Sequence, residues 1–269
     1  MTSLPIAFIG GGNMASALIG GLLNSGRPPR SLLVVEPSEV QRDKLAQAFG
    51  VAAVPVATAA LSQAGTVIWA VKPQSFDEAA TACGSWLAGA LQLSVMAGIR
   101  SDAIARASGS PQVVRAMPNT PALIGRGIAG LYARPEVDAA ARAQVEQLFA
   151  PTGESLWVEY EDQLDAVTAI SGSGPAYVFY FLEAMMQAAT ELGLSAEQGR
   201  RLAQGTFAGA AALAQASPLQ PAELRAQVTS KGGTTHAAIT SLDDSGVKAA
   251  VVRAVHAAHT RAQELGRGR

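Results

Sequence analysis

The clearest chemical signal in the sequence is a glycine-rich segment close to its beginning. Residues 10–15 read GGGNMA, which fits the pattern G-x-G-x-x-A and follows the apolar run of residues 5–9. In that pattern Gly10 makes the tight turn after a strand, Gly12 lets the backbone approach a pyrophosphate, and Ala15 keeps helix and strand close. Free N–H groups and the dipole at a helix start favour the phosphate charge. The segment therefore predicts a dinucleotide site.

The choice between the two nicotinamide dinucleotides depends on residues near the end of the next apolar run. Glu36 follows residues 32–35. A carboxylate there bonds a ribose 2′-hydroxyl and repels a 2′-phosphate, which favours NAD(H). Ser38 and Arg42 are close enough in sequence to hold a phosphate instead, although a solvated helix face is the more ordinary interpretation of Arg42. These residues leave both NADPH and NADH open as cofactors.

Two further polar segments each follow an apolar run. Lys72, in the segment AVKP, comes after residues 66–70, and the segment MPNTP at residues 117–121 comes after residues 112–116. In a doubly wound sheet, ligands bind outside the carboxyl ends of the strands, so Lys72 is placed to meet the cofactor. The two prolines of MPNTP predict a stiff loop at the same edge. An exposed lysine and a plain turn are the alternative interpretations.

Two segments rich in small residues open predicted helices in the second half of the chain. Residues 171–177 read SGSGPAY, and residues 229–235 read TSKGGTT. Consecutive N–H groups at a helix start can form a nest for a carboxylate, and the Thr235 hydroxyl can bond a ligand nitrogen. We therefore take Ser173 and Thr235 as candidate substrate contacts, with an ordinary helix start as the alternative for SGSGPAY.

Two kinds of hydrophobic pattern must position these residues. Five runs are apolar on consecutive positions, which is typical of strands covered by helices on both faces. Helical patterns separate them, such as residues 38–49 with Ser38 as N-cap and Gly50 as the terminating glycine. After residue 161 only helical patterns remain. The runs are residues 5–9, 32–35, 66–70, 91–96 and 112–116, and the later helical patterns are residues 165–169, 175–192, 196–216, 221–228 and 247–265.

This order predicts an α/β fold. We expect a Rossmann-like, doubly wound parallel sheet in a dinucleotide-binding domain of residues 1–160. An all-helical domain of residues 161–269 follows it.

Composition excludes several classes of function. The chain has 269 residues, of which 49% are hydrophobic and 15% are charged, so it is too apolar to be disordered. A net charge of -1 and 5% aromatic residues disfavour nucleic-acid binding. A single cysteine, Cys83, excludes a disulfide scaffold, and three histidines without supporting ligands predict no metal site. The uncharged stretch of residues 6–23 contains too much glycine for a membrane span, so we expect a soluble cytoplasmic protein.

The order of GGGNMA, AVKP, MPNTP, DAVTAISGSGPAY and TSKGGTT resembles the pyrroline-5-carboxylate reductase family over essentially the whole chain. The resemblance implies a Rossmann domain followed by a helical domain that dimerises by interleaving, with five dimers often forming a ring. It also implies hydride transfer from NADPH or NADH to the C=N carbon of 1-pyrroline-5-carboxylate. The product would be L-proline, in the last step of proline biosynthesis.

The same resemblance assigns roles to individual residues. It implies that Thr235 contacts the ring nitrogen of the substrate as the catalytic positioning residue, and that Glu161 is a substrate-site acid contributed across the dimer. The backbone N–H groups of Gly232, Gly233 and Thr234 would hold the substrate carboxylate. The implied cofactor contacts are Ile9, Gly10, Gly11, Gly12, Asn13, Met14, Ala70, Val71, Lys72, Pro73, Ala97 and Gly98, with Glu36 and Ser38 at the ribose.

Two residues depart from the family pattern. Lys231 stands where the family often has proline, and Glu36 stands where some members have a serine for the 2′-phosphate. The charge of Lys231 would either strengthen carboxylate capture or point to solvent. Glu36 puts a preference for NADPH in doubt without affecting the reaction.

Two alternative functions share the Rossmann pattern. A β-hydroxyacid dehydrogenase would need a lysine on the helix after its glycine-rich substrate motif, and this chain has no lysine between Lys72 and Lys231. A non-catalytic dinucleotide sensor would have no reason to carry TSKGGTT together with SGSGPAY. Both alternatives are therefore weaker than the reductase.

Overall fold

The strands of the computed structural model, which describes residues 4–267, form one eight-stranded sheet. They are β1 (Ile6–Ile9), β2 (Leu32–Val35), β3 (Ala53–Val54), β4 (Thr66–Trp69), β5 (Leu91–Ser94), β6 (Val113–Met117), β7 (Gly127–Ala133) and β8 (Gly153–Trp157). Their order across the sheet is β3-β2-β1-β4-β5-β6-β7-β8.

The strand order of the sheet reverses at β1, so that successive strands are added on opposite sides of it. From β1 the chain goes to β2 on one side, and β4 pairs with β1 on the other side, both in parallel. In register, Ile9 lies opposite Val35 on β2 and opposite Trp69 on β4. Such a switch point opens a crevice outside the carboxyl ends of the strands, which is where open α/β sheets bind ligands.

The α/β architecture agrees with the prediction, although the sheet is not purely parallel. The five predicted runs are β1, β2, β4, β5 and β6, with ends that differ by up to two residues. β7 pairs with β6 in antiparallel orientation and has no predicted counterpart. Gly127 and Gly130 interrupt its apolar run, because a Cβ on Gly130 would lie 2.7 Å from Val167 and one on Gly127 would lie 2.8 Å from the Ala122 backbone.

Six helices accompany the sheet: α1 (Asn13–Asn24), α2 (Glu39–Phe49), α3 (Phe76–Cys83), α4 (Ser101–Ser108), α5 (Ala139–Phe149) and α6 (Gln163–Val167). The start and end of α2 are the ones predicted. The Ser38 side chain accepts a hydrogen bond from the Gln41 N–H at 3.4 Å, and Gly50 ends the helix with φ of 64°.

Two apolar layers cover the two faces of the sheet. In β1, Ile6 and Phe8 join one layer, whereas Ala7 and Ile9 join the other. Every residue of β1 is therefore buried, which explains why the strand reads as a continuous apolar run. Burial on both faces holds the loops at the strand ends in place.

The remaining helices are α7 (Gly174–Glu191), α8 (Ala196–Ala216), α9 (Pro221–Gln227), α10 (Thr234–Asp244) and α11 (Val247–Arg267). The chain divides into two compact units, one containing residues up to Ser173 and from Ala258 onward, the other containing residues 174–257. In the second unit, Val178, Phe179 and Tyr180 of α7 are exposed in the single chain. None of the helices within residues 4–267 could span a bilayer.

Candidate functional site

The turn after β1 is built so that only glycine fits at its first position. Gly10 has φ of 97°, and a Cβ there would lie 2.7 Å from the Ala70 carbonyl oxygen. The Gly10 N–H donates to the Val35 carbonyl at 2.8 Å, and the Ala70 N–H donates to the Ile9 carbonyl at 2.8 Å. The turn is therefore held against the ends of both neighbouring strands, as the first glycine of the motif requires.

Gly12 faces open space instead. A Cβ on Gly12 would meet no described atom within 4 Å, and Gly12 is the N-cap of α1, with φ of -68°. The first N–H groups of α1 have no acceptor within the helix, and no acidic residue lies in the first turn. This open helix start fits the pyrophosphate of a dinucleotide, because the N–H groups and the helix dipole both favour negative charge.

Glu36 is bound to the glycine loop. The Gly11 N–H donates to Glu36 Oε2 at 2.8 Å, and the Ser38 N–H donates to Glu36 Oε1 at 2.8 Å. The Gln41 side-chain amide donates to the Gly11 carbonyl at 2.6 Å. The carboxylate therefore lies at the end of β2 next to the loop, where a ribose is expected.

Arg42 and Ser38 have local hydrogen-bond partners at the same end of β2. The Arg42 guanidinium donates to the Glu36 carbonyl at 3.0 Å and to the Pro37 carbonyl at 2.6 Å. The Ser38 hydroxyl oxygen accepts the helix-capping bond of α2. Each of the two groups that would favour a 2′-phosphate thus already serves the backbone at this corner.

The other predicted cofactor residues lie beyond the carboxyl ends of the central strands. Lys72 is exposed, and Pro73 begins a short 3-10 turn, Pro73–Ser75. Ala97 and Gly98 follow β5, whose last residue, Ser94, lies opposite Trp69 of β4. Asn13 and Met14 begin α1. The fold therefore brings these residues to one edge of the sheet, around the switch point.

The MPNTP segment is tied to the antiparallel strand. Asn119 is buried, and its side-chain oxygen accepts the Ile128 N–H at 3.0 Å. Met117 ends β6 and packs on Gly172, where a Cβ would lie 2.8 Å from the Met117 methyl group. The segment thus links β7 and the start of SGSGPAY to the end of β6.

Ser173 follows a widened helical turn. Its N–H donates to the Thr168 carbonyl at 2.8 Å, a π-type bond that ends the turn Thr168–Gly172. Ser173 is half-buried and immediately precedes α7. Single π turns inside helices often mark functional positions.

Glu161 lies in an ion-pair cluster that the sequence did not indicate. Its carboxylate accepts hydrogen bonds from the Ser101 N–H at 2.7 Å, from the Ser101 hydroxyl at 2.8 Å and from the Arg115 guanidinium at 2.9 Å. Arg100 lies 3.7 Å from the same carboxylate. One signal could have revealed the cluster, because Arg115 is a charge inside an apolar run, and a buried charge needs a partner.

The TSKGGTT segment belongs to the second unit. Gly232 has φ of 78°, and the Gly233 N–H donates to the Ser230 carbonyl at 3.0 Å, which closes a turn before α10. Gly233 is the N-cap of α10, so the first N–H groups of this helix have no acceptor within it. Thr235 is half-buried, whereas Lys231 and Thr234 are exposed. The Gly233 N–H is therefore engaged within the turn, and the N–H groups from which a carboxylate could accept are those at the start of α10.

Burial raises the pKa values of two acidic groups in the first unit, Cys83 and Asp165. Burial raises the pKa of the Cys83 thiol to about 11. Burial also raises the pKa of Asp165, against the opposing attraction of Arg115 and Arg100. Neither residue is among the predicted site residues.

Comparison with known proteins identifies both parts of the chain. Residues 161–265 match the family "pyrroline-5-carboxylate reductase dimerisation", and residues 5–98 match the family "NADP oxidoreductase coenzyme F420-dependent". The chain is 45% identical to the pyrroline-5-carboxylate reductase of Pseudomonas aeruginosa, over 98% of each chain.

Solved structures give the same result. A pyrroline-5-carboxylate reductase from Coxiella burnetii is 35% identical, with a TM-score of 0.90 over 98% of this chain and 99% of that one. A pyrroline carboxylate reductase from Plasmodium falciparum, with NADP bound, is 27% identical, with a TM-score of 0.87 over 99% of each chain.

Proposed function

The chain belongs to the pyrroline-5-carboxylate reductase family, and from that premise we propose that it reduces 1-pyrroline-5-carboxylate to L-proline, the last step of proline biosynthesis. The observation that carries the proposal is the glycine turn at the switch point. Gly10 is packed against Ala70, whereas Gly12 faces open space at the start of α1. That arrangement accommodates a dinucleotide pyrophosphate in a family of dinucleotide-dependent reductases.

Residues 9–14 and 70–73 form the proposed cofactor edge, together with Ala97 and Gly98. Bound NADPH or NADH supplies the hydride. Glu36 and Ser38 border the ribose of the adenosine half. The chain's own task is to hold the nicotinamide edge and the imine carbon about 3–3.5 Å apart and aligned.

The proposed substrate contacts are Ser173 and residues 232–235. The free N–H groups at the start of α10 suit the substrate carboxylate, since helix starts favour anions. The Thr235 hydroxyl forms a hydrogen bond with the ring nitrogen and keeps the imine carbon aligned with the nicotinamide. A protonated imine is already electrophilic, so the chain needs no covalent nucleophile, and Thr235 orients the nitrogen without acting as a strong base.

We also propose a homodimer formed by the helical domain of residues 161–269. The family matched at residues 161–265 is described as a dimerisation family. In the single chain, large apolar side chains of the second unit are exposed, including Phe179, Tyr180 and Leu202. Exposed apolar groups at this density are typical of an obligate interface. We propose further that five such dimers assemble into a ring and that the protein acts in the cytoplasm.

The test is a cofactor-consumption assay with synthetic 1-pyrroline-5-carboxylate, run in parallel with NADPH and with NADH. We expect rapid oxidation of reduced cofactor that depends on the imine, with L-proline as the product. A 2-hydroxy acid offered with NAD or NADP is the control for the dehydrogenase alternative. A folded protein that binds either cofactor and turns over neither substrate would contradict the proposal and favour the sensor. Sedimentation analysis of the same sample tests the dimer and the ring.

A further inference from the structure

The pair Glu161 and Arg115 is the most deeply buried ion pair in the described part of the chain. The side chains are 11% and 6% exposed, and their charged atoms lie 2.9 Å apart. Arg115 sits on β6, and its Nε has no hydrogen-bond partner among the described residues. Burying two charges carries a large desolvation cost, and a buried ion pair is poor evidence of added stability. A role in fixing the position of other groups accounts for the pair better than a contribution to stability does.

Both oxygens of the Glu161 carboxylate have partners within the same unit. Oε1 accepts hydrogen bonds from the Ser101 N–H and from Arg115, and Oε2 accepts one from the Ser101 hydroxyl. These are charge-assisted bonds with short lengths, the stronger class of hydrogen bond. The carboxylate is thus engaged by three donors of its own unit, which accounts for its position without a substrate contact.

The carboxylate caps a helix that has no cap of its own. α4 begins at Ser101, and its N-cap residue, Arg100, makes no side-chain capping bond. Glu161 supplies the acceptor and the negative charge that a helix start favours. The next residue, Asp162, pairs with the Arg100 guanidinium. Two consecutive acids therefore hold two consecutive residues at the start of α4.

The loop before α4 is held at a second point. We call residues 95–100, which join β5 to α4, the β5–α4 loop. Gly98 in this loop has φ of 75°, and a Cβ there would lie 3.0 Å from the Leu265 carbonyl oxygen near the end of α11. The loop thus has a tight backbone contact in its middle and an ion-pair anchor at its end.

The β5–α4 loop borders the proposed cofactor edge. It leaves the carboxyl end of β5, and the Val95 N–H donates to the Trp69 carbonyl of β4 at 3.0 Å. Ala97 and Gly98 therefore lie at the same edge of the parallel sheet as the residues that follow β4. Ligands of such sheets bind outside this edge, so the shape of the loop affects how a dinucleotide fits.

We propose that Glu161 is a positioning residue, which holds the β5–α4 loop in the form that accepts the nicotinamide cofactor, and that it makes no contact with the substrate. Arg115 orients the carboxylate, and Ser101 transmits the constraint to the loop. A loop held in its bound form avoids the loss of affinity that a population of unsuitable conformations would cause. The inference rests on the proposed function for the identity of the cofactor only.

The test compares Glu161→Gln with the unchanged protein in two measurements. The first is the dissociation constant of NADPH and of NADH, from fluorescence titration without any imine. The second is the KM for 1-pyrroline-5-carboxylate at saturating cofactor. We expect the cofactor dissociation constants to rise about tenfold, because the variant keeps the shape and loses the charge that anchors the loop. The KM for the imine should change less than twofold.

Two control variants separate positioning from charge and from general stability. Asp102→Asn removes an exposed acid from the same first turn of α4, where its carboxylate pairs with Arg106 on the surface and makes no bond to Glu161 or Arg115 in the cluster described above. Val145→Ala opens a cavity in the core layer at α5, at a residue that is not a partner of the Glu161 carboxylate. Both should leave the cofactor dissociation constants unchanged at a temperature where each variant is folded.

The substrate-contact role predicts the opposite pattern. A raised KM for the imine with unchanged cofactor binding would overturn the positioning role, and so would unchanged values in both measurements. Should Glu161→Gln fail to fold, Ser101→Ala removes only the hydroxyl bond and should weaken cofactor binding to a smaller extent in the same direction. Weakened cofactor binding in a protein that reduces no imine would support the positioning role and contradict the proposed function alone.

Discussion

The Gly11 N–H donates a hydrogen bond of 2.8 Å to the carboxylate of Glu36, 25 residues further along the chain. The bond joins the glycine loop after β1 to the end of β2, and the same carboxylate also accepts the Ser38 N–H. A negative charge is thereby held at the corner where the ribose of a dinucleotide is expected. Because Arg42 donates to two backbone carbonyls at this corner, we expect the carboxylate rather than the guanidinium to influence the choice between a 2′-hydroxyl and a 2′-phosphate.

Replacing Glu36 by Gln should shift the cofactor preference toward NADPH. We expect the ratio of kcat/KM for NADPH over NADH to rise about tenfold, since the variant removes repulsion of the 2′-phosphate and weakens the bond to the 2′-hydroxyl. The ratio comes from steady-state rates with each cofactor, and titration of each cofactor without imine checks it independently. Glu39→Gln, an exposed acid in the first turn of α2, is the matched control and should leave the ratio unchanged. An unaltered ratio in Glu36→Gln would show that the carboxylate does not select the cofactor.

Alanine at Gly10 should lower stability, whereas alanine at Gly12 should leave stability unchanged and weaken cofactor binding. At Gly10 the new Cβ meets the Ala70 carbonyl at 2.7 Å in a backbone of positive φ, so we expect a loss of about 3 kcal/mol in the free energy of unfolding. At Gly12 the Cβ meets no described atom, so stability should stay within about 0.5 kcal/mol.

Cofactor binding is the property that we expect Gly12→Ala to change. The methyl group of Gly12→Ala would fill the space through which a pyrophosphate approaches the backbone, so cofactor affinity should fall at least about tenfold. Urea unfolding and cofactor titration measure the two effects. Unchanged cofactor affinity in Gly12→Ala would mean that the pyrophosphate does not lie at the start of α1.

Removal of the Thr235 hydroxyl should affect turnover more than cofactor binding. Thr235→Ala leaves the start of α10 and its N–H groups in place and removes only the group assigned to the ring nitrogen. We expect kcat to fall roughly tenfold to a hundredfold, with less than a twofold change in cofactor affinity. Thr240→Ala, an exposed threonine of the same helix, is the control. An unchanged kcat in Thr235→Ala would exclude the hydroxyl from the reaction.

The thiol of Cys83 should resist alkylation in the folded protein. Cys83 is buried, and its pKa rises from the ordinary value of 9.0 to about 11. At pH 8 only about one thiol in a thousand is therefore the reactive thiolate. A disulfide reagent should react slowly with the native protein and rapidly after unfolding in urea. Rapid reaction of the native protein at pH 8 would contradict this burial.

The raised pKa of Cys83 makes the stability of the folded protein depend on pH. A group whose pKa is raised in the folded state holds its proton more tightly there than in the unfolded chain. The contribution of Cys83 is therefore complete below pH 9 and is lost as the pH rises toward 11. Cys83→Ser removes this dependence, which unfolding curves across that pH range would reveal.

Local sequence patterns were sufficient to predict most of the strands in the first unit and the ends of α2. Strands buried on both faces leave continuous apolar runs, and β1, β2, β4, β5 and β6 were predicted from them. The residues that end and begin α2 were predicted as well, because a capping serine and a terminating glycine act within a few positions of the helix. β7 was missed because its glycines are required by neighbours distant in sequence, such as Val167.

The sequence by itself determined five of the eight strands, the start and end of α2, the glycine turn and the family, since periodicity, caps and motif spacing are properties of short segments. Only the tertiary structure decided what Glu36 and Glu161 contact. Glu161 meets Ser101 and Arg115, which lie 60 and 46 positions earlier in the chain. The partner of a buried charge depends on which distant segments the sheet brings together, and no local pattern encodes that choice.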